Sequence, residues 1–268
     1  MITDLDEIAR IFGQIAVKAA VPIMDFFNSD GEARRKSDGS PVTDADLASE
    51  RSILLDLAFE LPNIPVVSEE AASQGFLPEV GERFILVDPL DGTREFAKRR
   101  KEFAINIGLI DKGIAVAGAI YAPALGQLWI GGSCALAMNL EPGASLEDAR
   151  QIRHIATRTP FLGRIKAVAS RSHPDRLTGE FIDRLGVDER ISAGSSLKFC
   201  LVAEGQADIY PRFGPTMEWD VAAGDAILRA AGGVMVAGDG SSFEYGKPGY
   251  HTGHFIALGN PSLVTSLF

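Results

Sequence analysis

The sequence is poor in cysteine and in basic residues. Two cysteines among 268 residues, Cys134 and Cys200, are too few for a disulfide framework or a cysteine-rich zinc site, so we expect a reducing, cytoplasmic environment. Lys and Arg number 26 against 36 Asp and Glu, and the formal net charge of −10 argues against duplex nucleic acid as a partner. A hydrophobic content of 46% excludes a disordered chain. The acidity is explained by solubility unless some of the carboxylates have a specific role.

We also expect no targeting segment and no membrane-spanning segment. Asp4, Asp6 and Glu7 stand where a secretory signal carries basic residues. The stretch Ile114–Leu140 has no charged residue and is long enough to span a bilayer, but glycine and proline divide it. We predict two buried strands joined by a turn at Pro123–Gly126, and no integral membrane segment; peripheral association with the inner membrane stays open.

The first half of the chain has the hydrophobic pattern of helices followed by a largely antiparallel sheet. Apolar residues recur at helical spacing from Leu5 to Phe26. A second helix, beginning at Thr43 or Asp44, is expected to bury Leu47, Leu54, Leu57 and Leu61. Strands are predicted over Ile64–Val67, Arg83–Val87, Glu102–Ile110 and Ile114–Tyr121.

The second half alternates short strands with helices. Strands are predicted over Lys166–Ala169, Arg190–Ser192, Ala207–Tyr210, Val234–Val236 and Phe255–Leu258, and helices over Pro174–Leu185, Ser196–Ala203 and Glu218–Ala231. This alternation predicts an α/β part that follows an α+β part. We expect two subdomains, residues 1–150 and 151–268, with the active site in the cleft between them.

One acidic segment combines two features of a phosphate site. In Val87-Asp88-Pro89-Leu90-Asp91-Gly92-Thr93, a hydrophobic strand ends at Asp88 and Pro89 is expected to stop it. Backbone N–H groups at Gly92 and Thr93 suit a phosphate. Carboxylates beside a phosphate repel it unless metal ions lie between them, so the segment predicts a divalent cation such as Mg²⁺. For either aspartate alone, a surface turn is an adequate explanation.

Three further segments carry acidic residues at predicted element ends. Glu69 and Glu70 follow an apolar strand, Asp220 lies in Trp219-Asp220-Val221-Ala222-Ala223-Gly224, and Asp46 lies in Val42-Thr43-Asp44-Ala45-Asp46. Each has an ordinary explanation as a helix cap or a compensation of the helix dipole. Glu70, as the neighbour of Glu69 on an extended strand, is expected to point the other way.

Taken in order along the chain, these four segments resemble the Mg²⁺-dependent, lithium-sensitive phosphatases of the inositol monophosphatase and fructose bisphosphatase superfamily. The resemblance covers nearly the whole chain and implies a layered α-β-α-β-α fold with two or three Mg²⁺ ions per site. The metal ligands that it implies are Glu69, Asp88, the Leu90 backbone carbonyl, Asp91 and Asp220. It also implies that Asp46, Glu69 and Thr93 are catalytic, with Asp46 and Thr93 assisting the attacking water, and that Gly92, Thr93 and Asp220 contact the substrate.

Two segments of the second half narrow the resemblance. Gly194–Gly205, with Ser195 and Lys198, and Ala207–Pro215, with Arg212, are similar to bacterial 3'(2'),5'-bisphosphate nucleotidases of sulphur assimilation. The implied substrate is adenosine 3',5'-bisphosphate, which loses its 3'-phosphate. The resemblance implies that Ser195, Lys198 and Arg212 hold the retained phosphate, while His173 is a weaker candidate for the nucleoside end.

Several alternatives stay open. The same fold accommodates an inositol monophosphatase, a histidinol-phosphate phosphatase or a non-enzymatic nucleotide sensor. An aspartyl-phosphate mechanism needs two aspartates two positions apart, whereas Asp88 and Asp91 are three apart. The basic run Lys98–Lys101 receives no binding role, and His251 and His254 are assigned to a turn rather than a metal site. The protein is expected to be a monomer or a homodimer.

Overall fold

The elements follow the predicted order of helices, sheet and α/β part. The structure, a computed structural model, describes residues 4–29, 34–35, 41–42, 44–159, 164–171 and 175–267. Its α-helices are α1 (Leu5–Asn28), α2 (Asp44–Glu60), α3 (Glu69–Ser73), α4 (Thr93–Ala97), α5 (Arg176–Leu185), α6 (Leu197–Ala203), α7 (Glu218–Ala230) and α8 (Leu263–Leu267). Its strands are β1 (Arg34–Arg35), β2 (Pro41–Val42), β3 (Val66–Ser68), β4 (Arg83–Asp91), β5 (Ala104–Asp111), β6 (Ile114–Ala122), β7 (Gln127–Gly131), β8 (Ala135–Asn139), β9 (Arg150–Ile155), β10 (Lys166–Ser170), β11 (Glu189–Ala193), β12 (Ile209–Arg212), β13 (Val234–Ala237) and β14 (Phe255–Leu258).

The strands form two large sheets. The first has seven strands in the order β3-β4-β5-β6-β7-β8-β9, antiparallel throughout except for the parallel pair β3 and β4. The second has five in the order β11-β10-β12-β14-β13, and β10, β11 and β12 run parallel. Strands β1 and β2 pair with each other.

Helices separate and cover these sheets. Helices α1 and α2 pack on the outer face of the first sheet, and α6 and α7 lie between the two sheets. Helices α5 and α8 cover the far face of the second sheet. The result is the five-layer α-β-α-β-α arrangement that the family resemblance implied. None of the described helices is both long and apolar enough to cross a bilayer.

Glycines on the first sheet let α7 approach it closely. A Cβ at Gly118 would lie 2.7 Å from the Ala223 carbonyl oxygen, and one at Gly131 would lie 2.6 Å from Ile227 Cα. Real Cβ atoms do not come so near to a helix backbone, so only glycine permits this packing. This close contact sets the position of α7 on the first sheet, and therefore the position of Asp220 in the first turn of that helix.

Three predicted elements differ from those observed. Strand β4 passes through Pro89 to Asp91, because the pairing with β5 is interrupted between Asp88 and Asp91 and needs no N–H from the proline. The uncharged stretch after Ile114 forms three strands, β6, β7 and β8, rather than two. Glu69 and Glu70 begin helix α3 instead of ending a strand. The alternation of side chains along a strand, on which their opposite directions were predicted, therefore does not apply to them.

The predicted buried face of α2 is also wrong in its first turns. Leu47 is 40% exposed and Leu54 only half-buried, whereas Asp46, Ser49 and Glu50 are buried. This polar face is turned towards the end of β4 that carries Asp88, as the hydrogen bonds below show. Thr43, the other predicted first residue of the helix, lies outside the described residues.

The division at residue 150 remains a prediction. Strand β9 continues the first sheet to Ile155, and one hydrophobic core includes residues of both sheets together with α6 and α7.

Candidate active site

A cavity of about 610 Å³ opens between the two sheets. Its walls come from the end of β4 and the start of α4, the residues that follow β11, the end of β12, and the start of α7. The carboxyl ends of the parallel strands β10, β11 and β12 point to it, which is where ligands bind in open α/β sheets.

Three carboxylates from different elements meet at one side of this cavity. Glu69 is the first residue of α3, Asp88 lies near the end of β4, and Asp220 lies in the first turn of α7. Each contributes a carboxylate oxygen, and these oxygens lie within 4.8 Å of one another. Asp91 and Leu90 line the same cavity. The structure therefore brings together all five residues of the implied metal-ligand set.

The electrostatics of the cluster favour a bound cation. Asp88 is 1% exposed. Burial, together with the charges of Glu69, Asp91, Asp220 and Asp46, raises the pKa of the Asp88 carboxyl well above its usual range. Burial and the nearby Asp91 likewise raise the pKa of Asp220. Buried carboxylates that repel one another are stabilised by a hard divalent cation, and oxygen donors are the ligands that Mg²⁺ prefers. The residues thus fit such an ion.

The end of β4 around Asp88 is held by hydrogen bonds. Asp88 Oδ1 accepts one of 3.0 Å from the Leu90 backbone N–H, and the Ser49 hydroxyl donates one of 3.0 Å to the Pro89 carbonyl. Asp46, one turn earlier on α2, is buried and does not line the cavity, although its charge acts on Asp88. The polar face of α2 therefore forms the support behind the acidic cluster.

The turn that follows the acidic cluster packs closely against neighbouring backbone at Gly92. Gly92 has φ 91° and precedes Thr93, the first residue of α4, and both line the cavity. A Cβ at Gly92 would lie 3.1 Å from the Glu102 carbonyl oxygen. The left-handed backbone and this close approach favour glycine here.

The cavity also holds two fixed cations. Lys198 is 2% exposed, and its ammonium group donates to the Ser195 carbonyl and lies 5.3 Å from the centre of the Tyr210 ring. Arg212 Nη2 donates a 2.9 Å hydrogen bond to the Pro215 carbonyl. Since both line the cavity together with the acidic cluster, Lys198 is not a solvated surface lysine. One site thus combines clustered carboxylates with two positive charges, of which Lys198 is buried and Arg212 half-buried.

Comparison with known proteins assigns the chain to a family. Residues 4–264 match the model of the inositol monophosphatase family. The chain belongs to the inositol monophosphatase family. It is 44% identical over 234 residues, which are 87% of this chain and 91% of the relative, to the 3'(2'),5'-bisphosphate nucleotidase CysQ of Salmonella typhimurium. The corresponding CysQ of Escherichia coli K12 is 41% identical over the same shares.

Solved structures agree with the family assignment. The crystal structure of CysQ from Bacteroides thetaiotaomicron, described as a bacterial member of the inositol monophosphatase family, has a TM-score of 0.80 and 36% identity and covers 94% of this chain and 97% of that one. An inositol monophosphatase from Zymomonas mobilis has a TM-score of 0.77 and 25% identity, with 99% and 98% covered.

The substrate-binding roles expected of Ser195 and His173 remain predictions. The Ser195 hydroxyl, expected to bind substrate, donates a 2.6 Å hydrogen bond to Asp91 Oδ2. His173 lies outside the described residues.

Sequence reasoning missed His251 as a residue of the site. It lines the cavity because residues 251 and 217 pair as an antiparallel bridge beside the start of α7. The turn expected from Gly249 and Gly253 is present, but no sequence signal placed that turn at the cavity.

The basic run Lys98–Lys101 takes no part in the cavity wall. Arg99 instead donates to the carbonyls of Phe27 and Ser29 at the end of α1, and its guanidinium lies 5.8 Å from the centre of the Phe27 ring. A cation at the carboxyl end of a helix compensates the helix dipole. Arg99 therefore has a structural role.

Proposed function

We propose that the protein is a Mg²⁺-dependent 3'(2'),5'-bisphosphate nucleotidase that converts adenosine 3',5'-bisphosphate to AMP and phosphate. The observation that carries this proposal is that the acidic cluster, the buried Lys198 and the half-buried Arg212 line one cavity. A substrate with two phosphates needs two such places, one for the phosphate that is cleaved and one for the phosphate that is kept. The names of the CysQ relatives support the same activity.

In this proposal the cleaved phosphate binds at the acidic cluster. Glu69, Asp88, the Leu90 carbonyl, Asp91 and Asp220 would hold two or three Mg²⁺ ions. When bound, Mg²⁺ supplies positive charge that stabilises the phosphate oxygens and makes water more acidic. The backbone N–H groups at Gly92 and Thr93 bind phosphate oxygens at the start of α4.

The nucleophile is water, so no covalent enzyme intermediate forms. The Thr93 hydroxyl binds this water, and Asp46 orients Thr93 from α2. The water oxygen forms a bond to phosphorus as the bond between phosphorus and the ribose 3'-oxygen breaks. One proton of the water ends on that 3'-oxygen, so that AMP leaves with a free hydroxyl.

The retained 5'-phosphate binds at the cationic side of the cavity. The Lys198 ammonium has three N–H donors and the Arg212 guanidinium has five, so each keeps donors beyond its bond to a protein carbonyl. Charged donors that are already held in place bind phosphate well, because little side-chain entropy is lost. His173 is retained as the candidate for the nucleoside end.

Product analysis tests the proposal. The protein is incubated with adenosine 3',5'-bisphosphate and Mg²⁺, and the nucleotide products are separated by chromatography. We expect AMP and phosphate in equal amounts, with lithium as an inhibitor. Release of adenosine 3'-phosphate instead of AMP would place the wrong phosphate at the acidic cluster and contradict the assignment.

A further inference from the structure

We propose that Ser195 is a positioning residue that fixes the carboxylate of Asp91, and that its hydroxyl does not bind the substrate phosphate. The inference rests on the proposed function only in taking Asp91 as a metal ligand. It replaces the role that the sequence resemblance implied for Ser195.

Three donors converge on a single oxygen of Asp91. Asp91 Oδ2 accepts hydrogen bonds from the Ser195 hydroxyl at 2.6 Å, from the Ser196 backbone N–H, and from Asn106 Nδ2 at 3.5 Å. Because the donors approach Oδ2 from different elements, they fix the rotation of the carboxylate. A metal ligand that is held by hydrogen bonds in this way binds its ion more tightly.

The backbone conformation of Ser195 supports a role for its side chain. Ser195 has φ 53°, in the left-handed region that costs a residue with a Cβ about 1–2 kcal/mol. Glycine adopts this conformation without that cost. A serine at this position is therefore explained by its hydroxyl, and the hydroxyl bonds to Asp91.

The Ser195 hydroxyl has one proton to donate, which distinguishes a contact with Asp91 from a contact with the substrate phosphate. A serine hydroxyl has one O–H donor, and at Ser195 that donor is directed to Asp91. A phosphate dianion has only acceptor oxygens, so it needs the same donor. The hydroxyl therefore serves the carboxylate or the phosphate, and the structure assigns it to the carboxylate.

The network joins the two halves of the site. Asn106, fully buried on β5 opposite Asp88, accepts a 2.6 Å hydrogen bond from the Ser196 hydroxyl. The Lys198 ammonium group donates to the Ser195 carbonyl. Ser195 thus lies between the acidic cluster of the first sheet and the cationic side of the cavity.

Stabilisation by Mg²⁺ alone tests this role without any substrate. The melting temperature of the full chain is measured across a Mg²⁺ titration for the wild type, Ser195→Ala and Ser241→Ala. Loss of a hydrogen bond to a metal ligand weakens metal affinity by about 10–100-fold. For Ser195→Ala we expect the Mg²⁺ concentration at half-maximal stabilisation to rise at least about tenfold.

Ser241→Ala is a matched control. The Ser241 hydroxyl also donates a 2.6 Å hydrogen bond to an aspartate, Asp239, but neither residue lines the cavity. The Mg²⁺ midpoint of this variant should equal that of the wild type. A similar rise in both variants would contradict a specific role for Ser195.

Ser195→Gly separates the hydroxyl from the backbone strain. Glycine relieves the cost of the left-handed conformation yet still lacks the hydroxyl, so we expect a Mg²⁺ midpoint as high as in Ser195→Ala. Unchanged midpoints in both variants, with a raised KM for adenosine 3',5'-bisphosphate, would overturn the proposal in favour of a substrate contact.

The result is independent of the substrate assignment. If the protein does not hydrolyse adenosine 3',5'-bisphosphate but Ser195→Ala still raises the Mg²⁺ midpoint, the positioning role stands and the proposed function fails. If hydrolysis occurs and the midpoint is unchanged, only the positioning role fails.

Discussion

The carboxylate of Glu50 on α2 accepts a 3.0 Å hydrogen bond from the Ala71 backbone N–H in the first turn of α3. The same oxygen accepts a hydrogen bond from the Ser68 hydroxyl. Ser68, at the N-cap position of α3, makes no side-chain cap of its own. Glu50 therefore caps a helix whose first residue is Glu69, a member of the acidic cluster.

Removal of this cap should weaken metal binding. We expect Glu50→Ala to lower the free energy of unfolding by about 1 kcal/mol and to raise the Mg²⁺ midpoint in thermal titrations. Glu50→Gln keeps an oxygen that accepts both hydrogen bonds and should restore the midpoint. Glu60→Ala, at the exposed end of the same helix, serves as the control. A wild-type midpoint in Glu50→Ala would show that the cap does not position Glu69.

Asp88→Asn should raise the stability of the metal-free protein and lower its activity. In the absence of metal, the variant removes a buried carboxyl whose ionised form is disfavoured by burial and by the neighbouring carboxylates, so its melting temperature should exceed that of the wild type. Asparagine Oδ1 can still accept the hydrogen bond from Leu90. Phosphate release should fall by orders of magnitude, and Mg²⁺ should stabilise the variant less. A lower melting temperature in metal-free buffer would contradict the repulsion that we infer.

Lys198→Ala should discriminate between substrates. At saturating Mg²⁺, kcat/KM for adenosine 3',5'-bisphosphate should fall at least about tenfold more than kcat/KM for adenosine 3'-phosphate, which lacks the 5'-phosphate. Lys166→Ala is the control, because Lys166 pairs with Glu189 at the surface. Equal losses on the two substrates would refute a selective role for Lys198.

The raised pKa of the buried Asp225 carboxyl predicts that the stability of the protein depends on pH. It is fully buried on α7, and burial raises the pKa of its carboxyl to about 6, although Arg229 and Tyr245 act in the opposite direction. A folded-state pKa above the unfolded value means that the protonated form is the more stabilising one. The contribution is therefore complete below about pH 4 and is lost as the pH rises through about 6.

Urea unfolding between pH 4.5 and about 7.5, compared with Asp225→Asn, measures this effect. The stability of the wild type relative to the variant should fall with rising pH, by up to on the order of 3 kcal/mol. Asp239→Asn is the control, because the hydroxyl of Ser241 lowers the pKa of the exposed Asp239 and that group does not titrate in this range. A flat difference for Asp225→Asn would show that Asp225 is ionised throughout.

Most helices and strands and the acidic motifs were predictable because their signals are local. Hydrophobic period and turn residues mark α1, β5 and α7 within short windows, and the acidic motifs are contiguous. Family resemblance supplied what single motifs could not, namely that Glu69, Asp88 and Asp220 meet. The structure places their carboxylate oxygens within 4.8 Å of one another.

The supporting contacts were not predictable because they join distant positions. Ser195 and Asp91 are 104 residues apart, and nothing in either segment shows that the hydroxyl points to the carboxylate. On α2, the apolar Leu47 was expected to be buried, but the helix turns its polar residues inward to support the end of β4 at Asp88. Tertiary hydrogen bonding decided that orientation over the hydrophobic pattern.

A direct comparison of two substrates tests the central claim. Phosphate release is measured under the same Mg²⁺ concentration from adenosine 3',5'-bisphosphate and from inositol 1-phosphate, and kcat/KM is determined for each. A cavity that joins the acidic cluster to Lys198 and Arg212 predicts a clearly higher value for the nucleotide. Equal or faster turnover of inositol 1-phosphate would contradict the account.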